Sequence, residues 1–271
     1  MEINRLKKIS DKVRYETIKL IHKTKTAHLG SCLSCIDILV ANYFSNIILR
    51  SNVNFKSKLK DTFVLSKGHA APALYVVLQM KGYISKKMLN TYSKPNSYLE
   101  EHPNIKINGV LVSSGSLGHG LSYVAGVALG DQINKKNNYH VLVMSDGECN
   151  EGSTWEAAMF ITGKKINNIL AFIDCNKWQA TEKTSDIMNL DPMKQKWQAF
   201  GWKTYEIDGH NFSSLINVIK KFKKNPKPTA VICRTIKGKG VSFMENDNLW
   251  HYRSPDKKEY LKAIKEIGFK K

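Results

Sequence analysis

No stretch of roughly 18 uncharged apolar residues occurs in this chain, which excludes a membrane-spanning helix of ordinary length. The N-terminal segment MEINRLKKISDKVRYETIKLIHKTK alternates charge with apolar residues and lacks the apolar centre of a secretory signal. A cytoplasmic location is expected. Cysteine is sparse and odd in number, five in 271 residues, which excludes a disulfide scaffold and suits a reducing compartment. Cys32-x-x-Cys35 has no second pair and no histidine at zinc-finger spacing, so helix packing is expected of it. Neither an internal repeat nor a low-complexity linker is present. Acid is scarce: 23 Asp and Glu stand against 42 Lys and Arg, a net charge of +19. The lysines are scattered, as in KKFKKNPK at 220–227 and in the tail from 257 to 271, with no finger or aromatic-interleaved patch. No nucleic-acid partner is expected from such a distribution.

What is present is an alternation of apolar strands and amphipathic helices. Ile3, Leu6, Ile9, Val13, Ile18 and Ile21 recur at helical steps and predict a helix over 3–24. Ser34, with Asp37 three residues on, reads as the start of a second helix running to about 49. TFVL at 62–65 predicts a short buried strand, and Pro72 marks the first turn of the helix after it. WKTYEI at 202–207 and TAVICRT at 229–235 predict further strands, with helices over about 191–200, 212–224 and 256–268. Strands alternating with helices predict an α/β fold, one domain over 1–271, with a largely parallel central sheet and helices on both faces.

The centre of the chain is residues 141–176. VLVM at 141–144 and ILAFID at 169–174 bracket one helix, roughly 153–165, for which Ser153 and Glu156 have capping-box spacing. Asp146 and Asn176 lie 30 residues apart, the length of one βαβ unit, so both emerge at the carboxyl edge of a parallel sheet. A carboxylate and an amide oxygen are hard ligands. With one backbone carbonyl they leave half an octahedron open, which is how Mg²⁺ is held when phosphate and water supply the rest. Gly147 leaves room for a phosphate near the backbone. The stretch reads as a site for a metal-bound diphosphate.

Residues 93–116 read as a long functional loop. It contains Glu101-His102-Pro103 and runs into Gly115-Ser116-Leu117-Gly118-His119-Gly120, where the glycines admit a flat ligand. The helix after it carries Ala125, Gly126, Ala128 and Gly130, small residues suited to close packing within the fold or across a subunit interface.

Taken together, FVLSKGHAAPALY, GSLGHGLS, SDGECNEGSTWEA, WQAFGW, IDGHN and TIKGKGVSFME resemble the N-terminal, pyrophosphate-binding half of the transketolases, in family order and over nearly the whole chain. The chain looks like the separate N-terminal subunit of a transketolase split into two polypeptides. The resemblance implies thiamine diphosphate and Mg²⁺ as cofactors and transfer of a two-carbon ketol unit between sugars or sugar phosphates. It implies Asp146, Asn176 and the carbonyl of Trp178 as metal ligands. Gly147, His69, Asn176 and His251 would contact the diphosphate side of the cofactor, and Gly115 and Leu117 its aminopyrimidine. His28, His69 and His102 would face the sugar, and Glu151 would join a chain of acids between subunits. A C-terminal subunit would complete the cofactor site, and self-association is expected.

Several positions depart from the commoner family pattern. Ser145 stands for the first glycine of Gly-Asp-Gly, Ala27-His28-Leu29-Gly30-Ser31 for Gly-His-Pro-Gly-Gly, His119 for Gln, and Trp178-Gln179-Ala180-Thr181 for an aliphatic-Gln-aliphatic-Asp run. Arg253 and nearby lysines suggest a contact to a phosphate or nucleotide on an unusual substrate, and a homologue acting on a specialised sugar is one alternative. A 2-oxo acid dehydrogenase-like half is the alternative thiamine-diphosphate enzyme.

Overall fold

The computed structural model describes residues 2–49 and 61–268; the last residues of the basic tail, 269–271, lie outside them. In chain order the elements are α1 (Glu2–Thr24), α2 (Leu29–Phe44), β1 (Thr62–Leu65), α3 (Ala71–Met80), α4 (Lys86–Leu89), α5 (His119–Ile133), β2 (His140–Ser145), α6 (Gly152–Gly163), β3 (Ile169–Cys175), α7 (Thr184–Ile187), α8 (Met193–Ala199), β4 (Lys203–Asp208), α9 (Phe212–Lys224), β5 (Thr229–Arg234) and α10 (Lys257–Ile267). All neighbouring strands pair in parallel, in the order β1-β2-β3-β5-β4.

Alternation along each strand builds two cores. Val141, Val143, Leu170, Phe172, Val231 and Cys233 face the layer of α1, α2, α3, α9 and α10. Leu142, Met144, Ala171, Ile173, Ala230 and Ile232 face the layer of α5, α6 and α8. Strands covered on both faces read as near-continuous apolar runs, and β2 and β3 are buried throughout. β4 is the half-exposed edge.

Two expected helix starts are displaced. Ser34 and Asp37 lie inside α2, which begins at Leu29. Their side chains bond across the fold instead: Ser34 Oγ to Asp174 at 2.6 Å, and Asp37 to Ser10 and Arg14. Likewise α6 starts at Gly152 with Glu151 at its N-cap, and Ser153 Oγ donates to the Gly118 carbonyl at 3.1 Å rather than capping. Tertiary partners outcompeted the local capping pattern at both places. By contrast, α10 has the capping box of Asp256 and Glu259. Cys32 and Cys35 are buried on α2, and the Cys35 thiol reaches backbone carbonyls of its own helix, as helix packing requires.

Because β3 carries the site and Phe172 is fully buried at its middle, Phe172→Ala is expected to destabilise the chain by about 3–5 kcal/mol. A denaturant titration followed by circular dichroism measures it.

Candidate active site

With every strand parallel, the strand exits share one edge. β1 leads into Ser66-Lys67-Gly68-His69, β2 into Asp146-Gly147, β3 into Asn176 and β5 into Thr235-Ile236-Lys237. Every residue of the expected diphosphate site except His251 lies on these exits.

Asp146 is 2% exposed. Its Oδ1 accepts from Gly147 N at 3.0 Å, and its Oδ2 accepts from Lys177 N at 3.0 Å and Thr184 Oγ1 at 3.2 Å. Burial, followed by the nearby Asp174 carboxylate, pushes its pKa up to about 6. Asn176 is also buried; its Oδ1 accepts from Trp178 N at 3.0 Å and its Nδ2 donates to Ser34 Oγ at 3.3 Å. Among the described residues no group of three or more His, Cys, Asp or Glu is placed to bind a metal. The donors here are one carboxylate and amide or backbone oxygens, a set that suits a hard cation sharing its shell with phosphate and water. Such an ion would also relieve the desolvated Asp146 carboxylate. The residues present therefore fit Mg²⁺ and a diphosphate. The Gln179 side chain bounds the space over Gly147 and donates to Asn150 Oδ1 at 2.7 Å.

Two lysines sit beside this pair, and both are fully buried. Lys67 is ion-paired with Asp174 and donates to the Ser31 carbonyl at 3.1 Å. Burial alone would push its pKa down, but the Asp174 carboxylate outweighs this and holds the ammonium charged. Lys237 is bonded to no carboxylate among the described residues. Its Nζ donates to the Gln179 carbonyl at 3.2 Å, to Asn248 Oδ1 and to His251 Nδ1 at 3.2 Å. Burial and then the Lys67 charge lower its pKa to about 8. Sequence reasoning gave neither lysine a role. Both stand in motifs it quoted, Ser-Lys-Gly-His and Lys-Gly-Lys-Gly, but one lysine in so basic a chain carries little signal.

The histidines converge. His28 lies 5.6 Å from His69, 6.2 Å from His102 and 5.0 Å from His251, between ring centroids. His251, expected only at the diphosphate, thus belongs to the same cluster. Desolvation, then neighbouring imidazoles and lysines, lower the pKa of His28 to about 4, that of His251 to about 3, and that of His69 well below its usual value. These three are neutral imidazoles near pH 7. His28 holds a left-handed backbone, φ 70° and ψ 19°, at the entry to α2. Its N–H donates to the His251 carbonyl at 2.8 Å, which pins this costly conformation.

The Gly115–Gly120 turn closes the other side. The His102 ring lies against Gly115, where an added Cβ would approach within 3.3 Å. Gly118 has φ +80°, and a Cβ on Gly120 would meet Ser66 Oγ at 2.2 Å, so the turn requires glycine at both. Leu117 is half-buried and Glu151 is exposed beside Gly118. The Arg253 guanidinium pairs with Glu259 and stacks 4.4 Å over Trp250. His210, given no catalytic role from the sequence, bonds Asp37 Oδ2 through Nδ1 at 2.7 Å and accepts from Ile236 N at 2.9 Å. It braces the segment that carries Lys237.

Residues 6–271 match the family model described as "Transketolase, thiamine diphosphate binding domain". The chain belongs to the transketolase family. It is 37% identical over 269 residues to one of the named subunits of the apulose-4-phosphate transketolase of Phocaeicola vulgatus, covering 99% of this chain and 95% of that one. It is 36% identical over 257 residues to SqwG, a 6-deoxy-6-sulfo-D-fructose transketolase subunit of a Clostridium species, covering 94% and 93%. Human transketolase is 32% identical over 267 residues, but this chain spans only 42% of its length. The crystal structure of transketolase from Campylobacter jejuni superposes with a TM-score of 0.93 at 25% identity, over 99% of this chain and 43% of that one. The thiamine-diphosphate-binding fold of the transketolases, a parallel α/β sheet between helical layers, is thus established for this chain, and thiamine diphosphate with Mg²⁺ is the cofactor set of the family. None of the helices among the described residues is long and apolar enough to cross a membrane.

The depressed imidazoles of this transketolase domain set a pH response. Between pH 6.5 and about 4 the unfolded chain binds a proton at His28 that the folded chain refuses, so stability falls as pH falls through that window. His28→Asn keeps a residue that tolerates the left-handed backbone and removes the titration. The variant is expected to lose stability on acidification less steeply than the parent, by on the order of 1 kcal/mol per pH unit. Denaturant melts at pH 4.5, 5.5 and 6.5 check it.

Proposed function

We propose that this chain is the N-terminal subunit of a two-polypeptide transketolase that moves a two-carbon ketol unit from a ketose, often a phosphate, to an aldose. The observation that carries this is one edge on which a buried Asp146–Asn176 pair, a buried lysine bonded to no carboxylate among the described residues, and neutral histidines stand together. Residues 1–271 act as one domain. Mg²⁺ is held by Asp146, Asn176 and the carbonyl of Trp178. Gly147, His69 and His251, with Lys237, hold the diphosphate; Gly115 and Leu117 hold the aminopyrimidine. When bound, thiamine diphosphate supplies the carbanion and the electron sink.

This chain's residues do the rest. His28, His69 and His102 orient the sugar and exchange protons with its hydroxyls, and the neutral imidazoles of His28 and His69 can each accept one. Glu151, exposed beside the pyrimidine turn, is free to meet an acid of another subunit. A C-terminal subunit with the pyrimidine-binding domain covers the open side and excludes water. The relatives named as transketolase subunits over nearly their full length support this partner. Their names also support a specialised sugar as substrate. Self-association through α5 and α6 is supported by exposed Tyr123, Ile133, Met159 and Phe160 and by open space over Gly126 and Gly130. The chain works in the cytoplasm, on sugars and not on nucleic acid.

Reconstitution with the C-terminal polypeptide tests the reading. The pair is expected to transfer ketol units with Mg²⁺ and thiamine diphosphate, and this chain alone is not. Asp146→Ala should abolish cofactor binding by calorimetry, while His102→Ala lowers turnover on the order of 10²–10⁴-fold with little change in cofactor affinity. Ketol transfer at an enzymatic rate by the purified chain alone would sink the half-site reading.

A further inference from the structure

Glu148 has no exposed surface, and neither the metal pair nor the histidines use it. Its carboxylate gathers donors from three separate parts of the chain. Oε1 accepts from Ser66 Oγ, at the exit of β1, and from Gly118 N at 3.1 Å, in the pyrimidine turn. Oε2 accepts from Ser145 N at 2.8 Å and Ser145 Oγ at 3.3 Å, at the exit of β2. The same segment grips the other side of Gly118, whose carbonyl accepts from Ser153 Oγ at 3.1 Å. Thr154 Oγ1 in turn donates to the Glu148 carbonyl at 2.6 Å. Gly118 is therefore clamped at both its N–H and its C=O, in the two peptide groups that flank its Cα, by the chain that follows Asp146-Gly147.

A ligand that spans the turn and the diphosphate loop needs these two elements at one fixed separation. The turn runs into α5 and the loop into one turn of 3-10 helix over Gly147–Asn150; no strand ladder joins them, and the Glu148 side chain bonds Gly118 N on one side and Ser145 N on the other. Ser145 fits the same device, because a glycine there would lack the Oγ donor. We infer that Glu148 is a positioning residue that sets the aminopyrimidine turn against the diphosphate loop, so that the site takes the whole of a thiamine diphosphate and not only its diphosphate. The inference rests on the cofactor reading given above.

Glu148→Gln keeps the shape but turns an NH₂ toward either the Gly118 or the Ser145 amide. Ser145 is also held in the β2–β3 ladder opposite Asp174, whereas Gly118 N donates only to this carboxylate among the described residues. The turn therefore yields first. Two measurements are needed. In the full chain, amide exchange at Gly118–Gly120 is expected to rise while exchange along β2 stays unchanged. In the chain paired with its C-terminal subunit, calorimetry is expected to show affinity for thiamine diphosphate with Mg²⁺ down on the order of tenfold, with that for Mg²⁺-pyrophosphate within about twofold. Ser66→Ala should shift the same quantities in the same direction by less, and it serves if the glutamine variant does not fold.

Unchanged exchange at Gly118, or an equal loss of both ligands, would overturn the positioning role. A parent assembly that takes Mg²⁺-pyrophosphate but no thiamine diphosphate would instead overturn the cofactor reading, and the exchange result would still decide whether Glu148 ties the turn to the loop.

Discussion

A lysine and an aspartate without any exposed side-chain surface hold the carboxyl edge of this sheet together. Lys67 follows β1 and Asp174 is the next-to-last residue of β3. Asp174 also accepts from Ser34 of α2 and from Thr235 beyond β5. Three strand exits and one helix thus close on a single carboxylate. A buried pair of this kind contributes little by its own attraction, because desolvation offsets it, but removing one partner leaves a bare charge at a cost of about 3–5 kcal/mol. Its value here is registration: the loops that leave β1, β3 and β5 are fixed relative to one another before any ligand arrives.

The same pair sends its field in two directions. The Asp174 carboxylate adds to burial in raising Asp146. The Lys67 ammonium adds to burial in lowering Lys237, His28, His69 and His251. An acid that resists ionising and a lysine that resists protonation are both poised for ligands of opposite sign. A divalent cation favours the carboxylate and a diphosphate favours the ammonium. Each would find the site already desolvated, so little solvent needs to be removed when they bind.

Much of this edge was legible in the chain itself. The Asp146–Asn176 spacing fixed one βαβ unit, and alternating apolar strands fixed the parallel sheet, because both follow from local periodicity. The histidines were legible only as three separate loop motifs; that His251 joins them depends on the hydrogen bond from His28 N to its carbonyl, 223 residues away. Ser34, Asp37 and Ser153 misled for one reason. Each has a capping pattern around it, and each is instead drawn to a partner distant in sequence that a local pattern cannot show. Lys237 was hidden by abundance. In a chain with 42 basic residues, its meaning comes from what surrounds it: burial, two carbonyl oxygens and an imidazole, with no carboxylate bonded to it among the described residues.

Burial around the site is asymmetric. Asp146, Asn176, Lys67, Lys237 and His251 are closed in. On the turn side, His102, Gly115 and Glu151 are exposed, His102 against Gly115 and Glu151 against Gly118. A sequence that had only to fold would have no reason to hold a histidine ring against a glycine turn in open solvent, next to an acid whose side chain bonds nothing among the described residues. The geometry acquires a purpose once a second surface covers the turn, for then the histidine faces a dry cavity and the acid a partner. The fold has placed its rigid, buried elements where charge is fixed and its exposed, glycine-built elements on the side that the proposed C-terminal subunit would cover.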